Sequence, residues 1–134
     1  MSGYKHIETT IARFIAGRYR RVIEAGAGRN THTAELLQRA GLHVTCIDLT
    51  IPQGILLVPY LVCDVADPDL SLFSGVECIY AIRPVEEMMR PLITLAGRIN
   101  TDLLVYHLGF EGYDHPRQVS GCTVPLFQYL TRQS

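Results

Sequence analysis

Val22-Ile23-Glu24-Ala25-Gly26-Ala27-Gly28-Arg29-Asn30-Thr31-His32-Thr33 reads as a strand, a glycine turn and the start of a helix. Val22 and Ile23 are β-branched and suit a buried strand. Gly26 and Gly28 permit backbone angles that a Cβ forbids, and Thr33, Leu36, Leu37 and Ala40 then recur at helical spacing. The turn is expected to aim backbone N–H groups at open space, where the unpaired amides and dipole of a helix N-terminus suit an anionic group. Glu24 qualifies that expectation, because its carboxylate repels a phosphate but attracts a cation or hydroxyl donors.

The strand and helix signals continue on both sides of this stretch. Tyr4, Ile7, Ile11, Phe14 and Ile15 lie on one helical face, with Ser2 as a cap and Gly17 as a left-handed residue after the end. Arg18, Arg20 and Arg21 form a short basic cluster that reads as a solvated face beside the strand. Asn30 or Thr31 caps the helix that runs to Ala40 and stops at Gly41. Leu42 to Leu49 is a second strand with Asp48 near its carboxyl end. Asp48 follows Gly26 by 22 residues, the spacing at which a nucleoside-binding fold places the acid that accepts ribose hydroxyls.

Between Thr50 and Pro59, Pro52, Gly54 and Pro59 exclude a full helix. Tyr60 to Cys63 is a short third strand ending at Asp64, and Val76 to Ile82 is a fourth, closed by Arg83-Pro84. A helix is predicted from Pro84, with Val85, Met88, Met89, Leu92, Ala96 and Ile99 on one face and both methionines packing the core. Pro91 kinks that helix or marks a second start. Asp102 to Leu108 is a fifth strand, Gly109 to Gly121 a loop, and Val124 to Leu130 a last strand. No crossover helix fits before that strand, so it should pair antiparallel at the sheet edge.

This alternation predicts an α/β fold: a Rossmann-like open, mainly parallel twisted sheet with helices on both faces and an antiparallel edge strand. Right-handed crossovers bring the carboxyl ends of the parallel strands to one edge, where Glu24, Asp48, Asp64, Arg83 and His107 gather. The 134 residues, 48% of them hydrophobic, predict a single domain over 1–134, with 1–17 as an N-terminal docking helix.

A formal net charge of −1 gives no general electrostatic footprint for nucleic acid or an anionic membrane. Met1 to Ile15 carries charges and lacks the apolar run of a secretion signal or membrane span, so a cytoplasmic protein is expected. Cys46, Cys63, Cys78 and Cys122 lack paired ligand spacing; they read as thiols, and no metal is expected.

Glu24-Ala25-Gly26-Ala27-Gly28-Arg29-Asn30, with Asp48 after the second strand and Asp64 after the third, resembles the class I S-adenosylmethionine-dependent methyltransferases. Their first motif is an acidic residue followed by three glycines at alternate positions. The whole chain further resembles a small, poorly characterised archaeal family with an abbreviated version of that fold, in which Ile82-Arg83-Pro84 recurs. The resemblance implies S-adenosylmethionine as cofactor. Gly26 and Gly28 would admit its methionine part, and Glu24 would support the loop or meet the ammonium through water. Asp48 would accept the ribose hydroxyls, while Asp64 and the Val65 N–H would meet adenine.

Two positions depart from that pattern. Asn30 replaces the third glycine, and Arg83-Pro84-Val85-Glu86 stands where amino-methylating relatives place an Asn/Asp-Pro-Pro-aromatic motif. Arg83 is no base, but it can clamp an acidic substrate or the cofactor carboxylate. His107 and His115 are candidate acid/base groups, and Glu86 and the Gly109 to Gly121 loop would help shape an acceptor site. An NAD-binding reading is weaker: Thr31 stands where the dinucleotide fingerprint wants a third Gly or Ala, and Glu24 crowds a pyrophosphate. Two function classes follow. One is a methyltransferase acting on an unidentified acceptor; the other is a non-catalytic nucleoside-binding or regulatory module, completed by a partner subunit.

Overall fold

The β-branched and apolar runs form strands in the computed structural model, which describes residues 3–110 and 116–134. Helix α1 spans Gly3–Ala16, and strand β1, Arg21–Ala25, leads through the glycine turn into helix α2, His32–Arg39. Strands β2 (His43–Asp48) and β3 (Tyr60–Val62) follow with no regular element between them, in keeping with Pro52, Gly54 and Pro59. A 3₁₀ turn at Leu70–Phe73 precedes β4, Cys78–Ile82. A second such turn, Glu86–Met88, opens into α3, Met89–Ile99. Strands β5 (Asp102–Tyr106), β6 (Arg117–Gln118) and β7 (Leu126–Leu130) complete the sheet.

Among the described residues the sheet has seven strands in the order β3-β2-β1-β4-β5-β7-β6. Strands β1 to β5 are parallel, and β7 pairs antiparallel with β5, as the missing crossover requires. The last strand is not the edge itself. The two-residue strand β6 lies outside it and pairs antiparallel with it.

Period-two alternation sends each strand's side chains to two cores. Val22, Val44, Cys46, Tyr80 and Leu104 pack against Ile11 and Ile15 of α1 and Leu37 of α2. Ile23, Ala25, Ile47, Ile79 and Val105 pack on the other face against Met89, Leu92, Leu95 and Ala96 of α3. Three of the four cysteines are buried, and all four are free thiols. No helix among the described residues is long and apolar enough to cross a membrane.

Three local expectations are corrected. Gly17 ends α1 without a left-handed angle, which appears after α2 at Gly41 (φ 96°) and at the end of α3 in Asn100 (φ 54°). The helix predicted from Pro84 begins at Met89, because Val85 is extended and only the 3₁₀ turn intervenes; Pro91 therefore marks a second start within the first turn. Val85 is consequently exposed rather than packed.

Candidate functional site

The carboxyl ends of β1 to β4 and the segment entering α3 enclose a cavity of about 440 Å³. Gly26 lies at one side of it, Ile47, Asp48 and Leu49 at the end of β2, and Cys63 to Ala66 after β3. Arg83, Glu87 and Met88 close the remaining side. The volume falls in the range of small-molecule sites, roughly 300–1,000 Å³. Among the described residues its charged lining comprises the carboxylates Asp48, Asp64 and Glu87 against the guanidinium of Arg83. Such a lining favours hydroxyl donors and cationic groups over a pyrophosphate.

The glycine turn is built by its own left-handed angles, φ 68° at Gly26 and 58° at Gly28. Its amides do not point at open space as expected. Gly26 N–H donates to the Ile47 carbonyl at 2.8 Å, and Gly28 N–H donates to Asp48 Oδ2 at 3.0 Å. The parallel pairing of β1 with β2 brings the end of β2 alongside the turn and captures both donors. Tyr60 reinforces this join, its hydroxyl donating to the Gly28 carbonyl at 2.9 Å. Burial, with the Asp48 carboxylate nearby, pushes the Tyr60 phenol up to about 12.

Asp48 also accepts from the Leu49 amide through Oδ1, at 2.7 Å. Each oxygen thus holds one donor and retains a lone pair for another, since an ionised carboxylate offers about four acceptor positions. Asp64 Oδ1 accepts from the Ala66 amide at 2.9 Å, which fixes the loop beside Val65. At the start of α2, Asn30 Oδ1 accepts from the His32 amide at 3.1 Å, while Thr31 Oγ1 donates to Glu35 Oε2 at 2.6 Å.

Glu24 lies elsewhere. Its neighbours Ile23 and Ala25 face α3, so it points to the α1–α2 face, 3% exposed. Tyr80 donates to its Oε1 at 2.8 Å, and Glu8, itself hydrogen-bonded to Asn30, lies nearby. Burial pushes the Glu24 carboxyl up to about 8, aided by the Glu8 charge and opposed by the Tyr80 hydrogen bond. Among the described residues it has no ion-pair partner.

Arg83, the candidate clamp, lines the cavity, and the acid/base candidate His107 does not. Arg83 holds a left-handed angle (φ 50°) that a non-glycine residue rarely adopts, fixed by its amide donating to the Tyr106 carbonyl at 2.8 Å. Its guanidinium sits 5.0 Å from the Tyr106 ring centroid. His107 is packed between Phe110 and Phe127, with Nε2 2.6 Å from the Tyr129 hydroxyl. Burial lowers its pKa, and Nδ1 has no hydrogen-bond partner among the described residues. His115 lies outside the described residues, as does part of the Gly109 to Gly121 loop. Glu87, rather than Glu86, joins the cavity wall.

Sequence reasoning missed Met88 as a cavity residue. Both methionines reach the core on the α3 side of the sheet, as expected, but unequally: Met88, at the end of the 3₁₀ turn, is only partly buried against it. Met89 is fully buried, whereas Met88 lies against the glycine turn.

Residues 5–120 match the family described as Uncharacterised protein family (UPF0146). The UPF0146 protein of Archaeoglobus fulgidus is 35% identical over 99 residues, covering 71% of this chain and 74% of that protein. A Pyrococcus horikoshii member is 32% identical over 107 residues, covering 73% and 79%.

Among solved structures, monomeric WbdD superposes with a TM-score of 0.56 at 9% identity; the match covers 98% of this chain and 42% of that one. A Burkholderia thailandensis 1,6-didemethyltoxoflavin-N1-methyltransferase with bound S-adenosylhomocysteine gives 0.52 at 17% identity, covering 92% and 60%. A putative ribosomal RNA methyltransferase from Plasmodium falciparum gives 0.51 at 10%, covering 96% and 94%. The chain thus spans less than two thirds of the first two structures. At these identities the likeness is one of fold: the Rossmann-like fold of class I methyltransferases.

Proposed function

The chain belongs to the Uncharacterised protein family (UPF0146), and we propose that it is a methyltransferase-like protein binding S-adenosylmethionine or its demethylated product, S-adenosylhomocysteine. The observation that carries this reading is the cavity itself: a left-handed glycine turn and three carboxylates converge at the carboxyl ends of the parallel strands. One solved neighbour that shares this fold, the Burkholderia thailandensis methyltransferase, holds S-adenosylhomocysteine.

In this reading Asp48 accepts the ribose hydroxyls on its remaining lone pairs, and Asp64 with the Val65 N–H meets the adenine edge. Gly26 and Gly28 leave the main chain bare beside the amino-acid end. Glu24 ties β1 to β4 through Tyr80 on the opposite face of the sheet, rather than touching the ligand. Arg83 pairs with a carboxylate, of the cofactor or of an acidic acceptor. When bound, the sulfonium supplies an activated methyl group; the chain's own part is orientation and exclusion of water.

A second reading, a binding or regulatory module without catalysis, is favoured by the packing of His107 against Tyr129, away from the cavity, and by the absence of a histidine from its wall among the described residues. Thermal melting with S-adenosylmethionine, S-adenosylhomocysteine and NAD tests the ligand, because a ligand preferring the native state raises the midpoint. Both sulfur nucleosides should raise it and NAD should not. A rise with NAD alone overturns the proposal. Transfer of a labelled methyl group to components of a cell extract then separates enzyme from binder.

A further inference from the structure

One wall of the cavity is an unbranched, flexible side chain, Met88. A Cβ built on Gly26 would lie 2.9 Å from Met88 Cε and 3.1 Å from Met88 Sδ, so the end of this methionine rests directly on the bare main chain of the turn. Met88 ends the 3₁₀ turn ahead of α3 and is only partly buried, whereas Met89 is fully buried and anchors the helix. Three rotatable side-chain bonds let the thioether swing away while α3 stays in place.

We propose that Met88 is a self-occupant of the subsite over Gly26. Its thioether holds the place taken by the amino-acid tail of a nucleoside thioether or sulfonium, and such a ligand enters by displacing it. This rests on reading the cavity as a nucleoside site. The thioether and methylenes of the tail would take the place of those of Met88 over the same glycine, with the charged end of the tail lying beyond them. The nucleoside end, beside Asp48 and Asp64, does not compete with Met88. A tailed ligand therefore bears a displacement cost that a bare nucleoside does not, and Met88 sets discrimination between the two.

Calorimetric titration of the parent and Met88→Ala with S-adenosylhomocysteine and with adenosine tests this. The variant should bind S-adenosylhomocysteine at least about fivefold more tightly and adenosine within about twofold of the parent. Unchanged or weaker S-adenosylhomocysteine binding, or equal tightening of both ligands, overturns the proposal. A second readout uses the unaltered protein. Its three methionines give three ε-methyl NMR signals, and S-adenosylhomocysteine should move the Met88 signal towards that of a solvent-exposed methionine, whereas adenosine should leave it. A Met88 signal unmoved by bound S-adenosylhomocysteine refutes the displacement while leaving the nucleoside site intact. Failure of both ligands to bind either protein refutes the nucleoside reading, and the occupant with it.

Discussion

Glu24→Gln should abolish a pH dependence of stability that the parent owes to one buried carboxyl. Glu24 is 3% exposed and holds its proton up to about pH 8, against an ordinary value of 4.5. Between those values the native chain keeps a proton that the unfolded chain has released, so stability falls as pH rises. At 1.36 kcal/mol per pKa unit the stability lost between pH 4 and pH 9 is on the order of 5 kcal/mol, with a slope near 1.4 kcal/mol per pH unit in the middle of the range. Glutamine keeps the shape and still accepts from the Tyr80 hydroxyl, but it does not titrate. Urea unfolding of parent and variant at several pH values from 5 to 8.5 measures the difference. The parent should lose stability relative to Glu24→Gln as pH rises, and the gap should level off above pH 8. Parallel stability curves would refute the burial argument.

Other outcomes follow from the packing. Gly26→Ala should destabilise the fold by about 1–2 kcal/mol in urea, because a Cβ meets a left-handed angle there, while the end of the Met88 side chain that it approaches can swing aside. Leu92→Ala, fully buried under the sheet in α3, should cost about 2–5 kcal/mol in the same assay.

The parallel strands were legible because burial on both faces writes near-continuous apolar runs, as in Cys78–Ile82. The acids at the carboxyl ends of β2 and β3 followed from topology alone. Strand β6 carried no such signal: Arg117 and Gln118 are polar and exposed, and only their pairing with β7 makes them a strand. Glu24 was assigned to the convergence by chain position, yet strand parity places it on the face opposite Ile23 and Ala25. The start of α3 was obscured because Pro84 and Glu86 are good helix openers, whereas the left-handed angle at Arg83 and the extended Val85 delay the helix. The closure of the glycine turn on Asp48 depends on three-dimensional register between β1 and β2, which spacing along the chain does not encode.

The central claim is that a sulfur nucleoside lies across the ends of β1 to β3 with its ribose on Asp48. Titration calorimetry of S-adenosylhomocysteine into the parent and Asp48→Ala measures it most directly. The parent should bind, and the variant should bind more weakly by at least about 1 kcal/mol, roughly fivefold, through loss of the ribose acceptor. Equal affinity in the two proteins, or no binding by the parent, would contradict it.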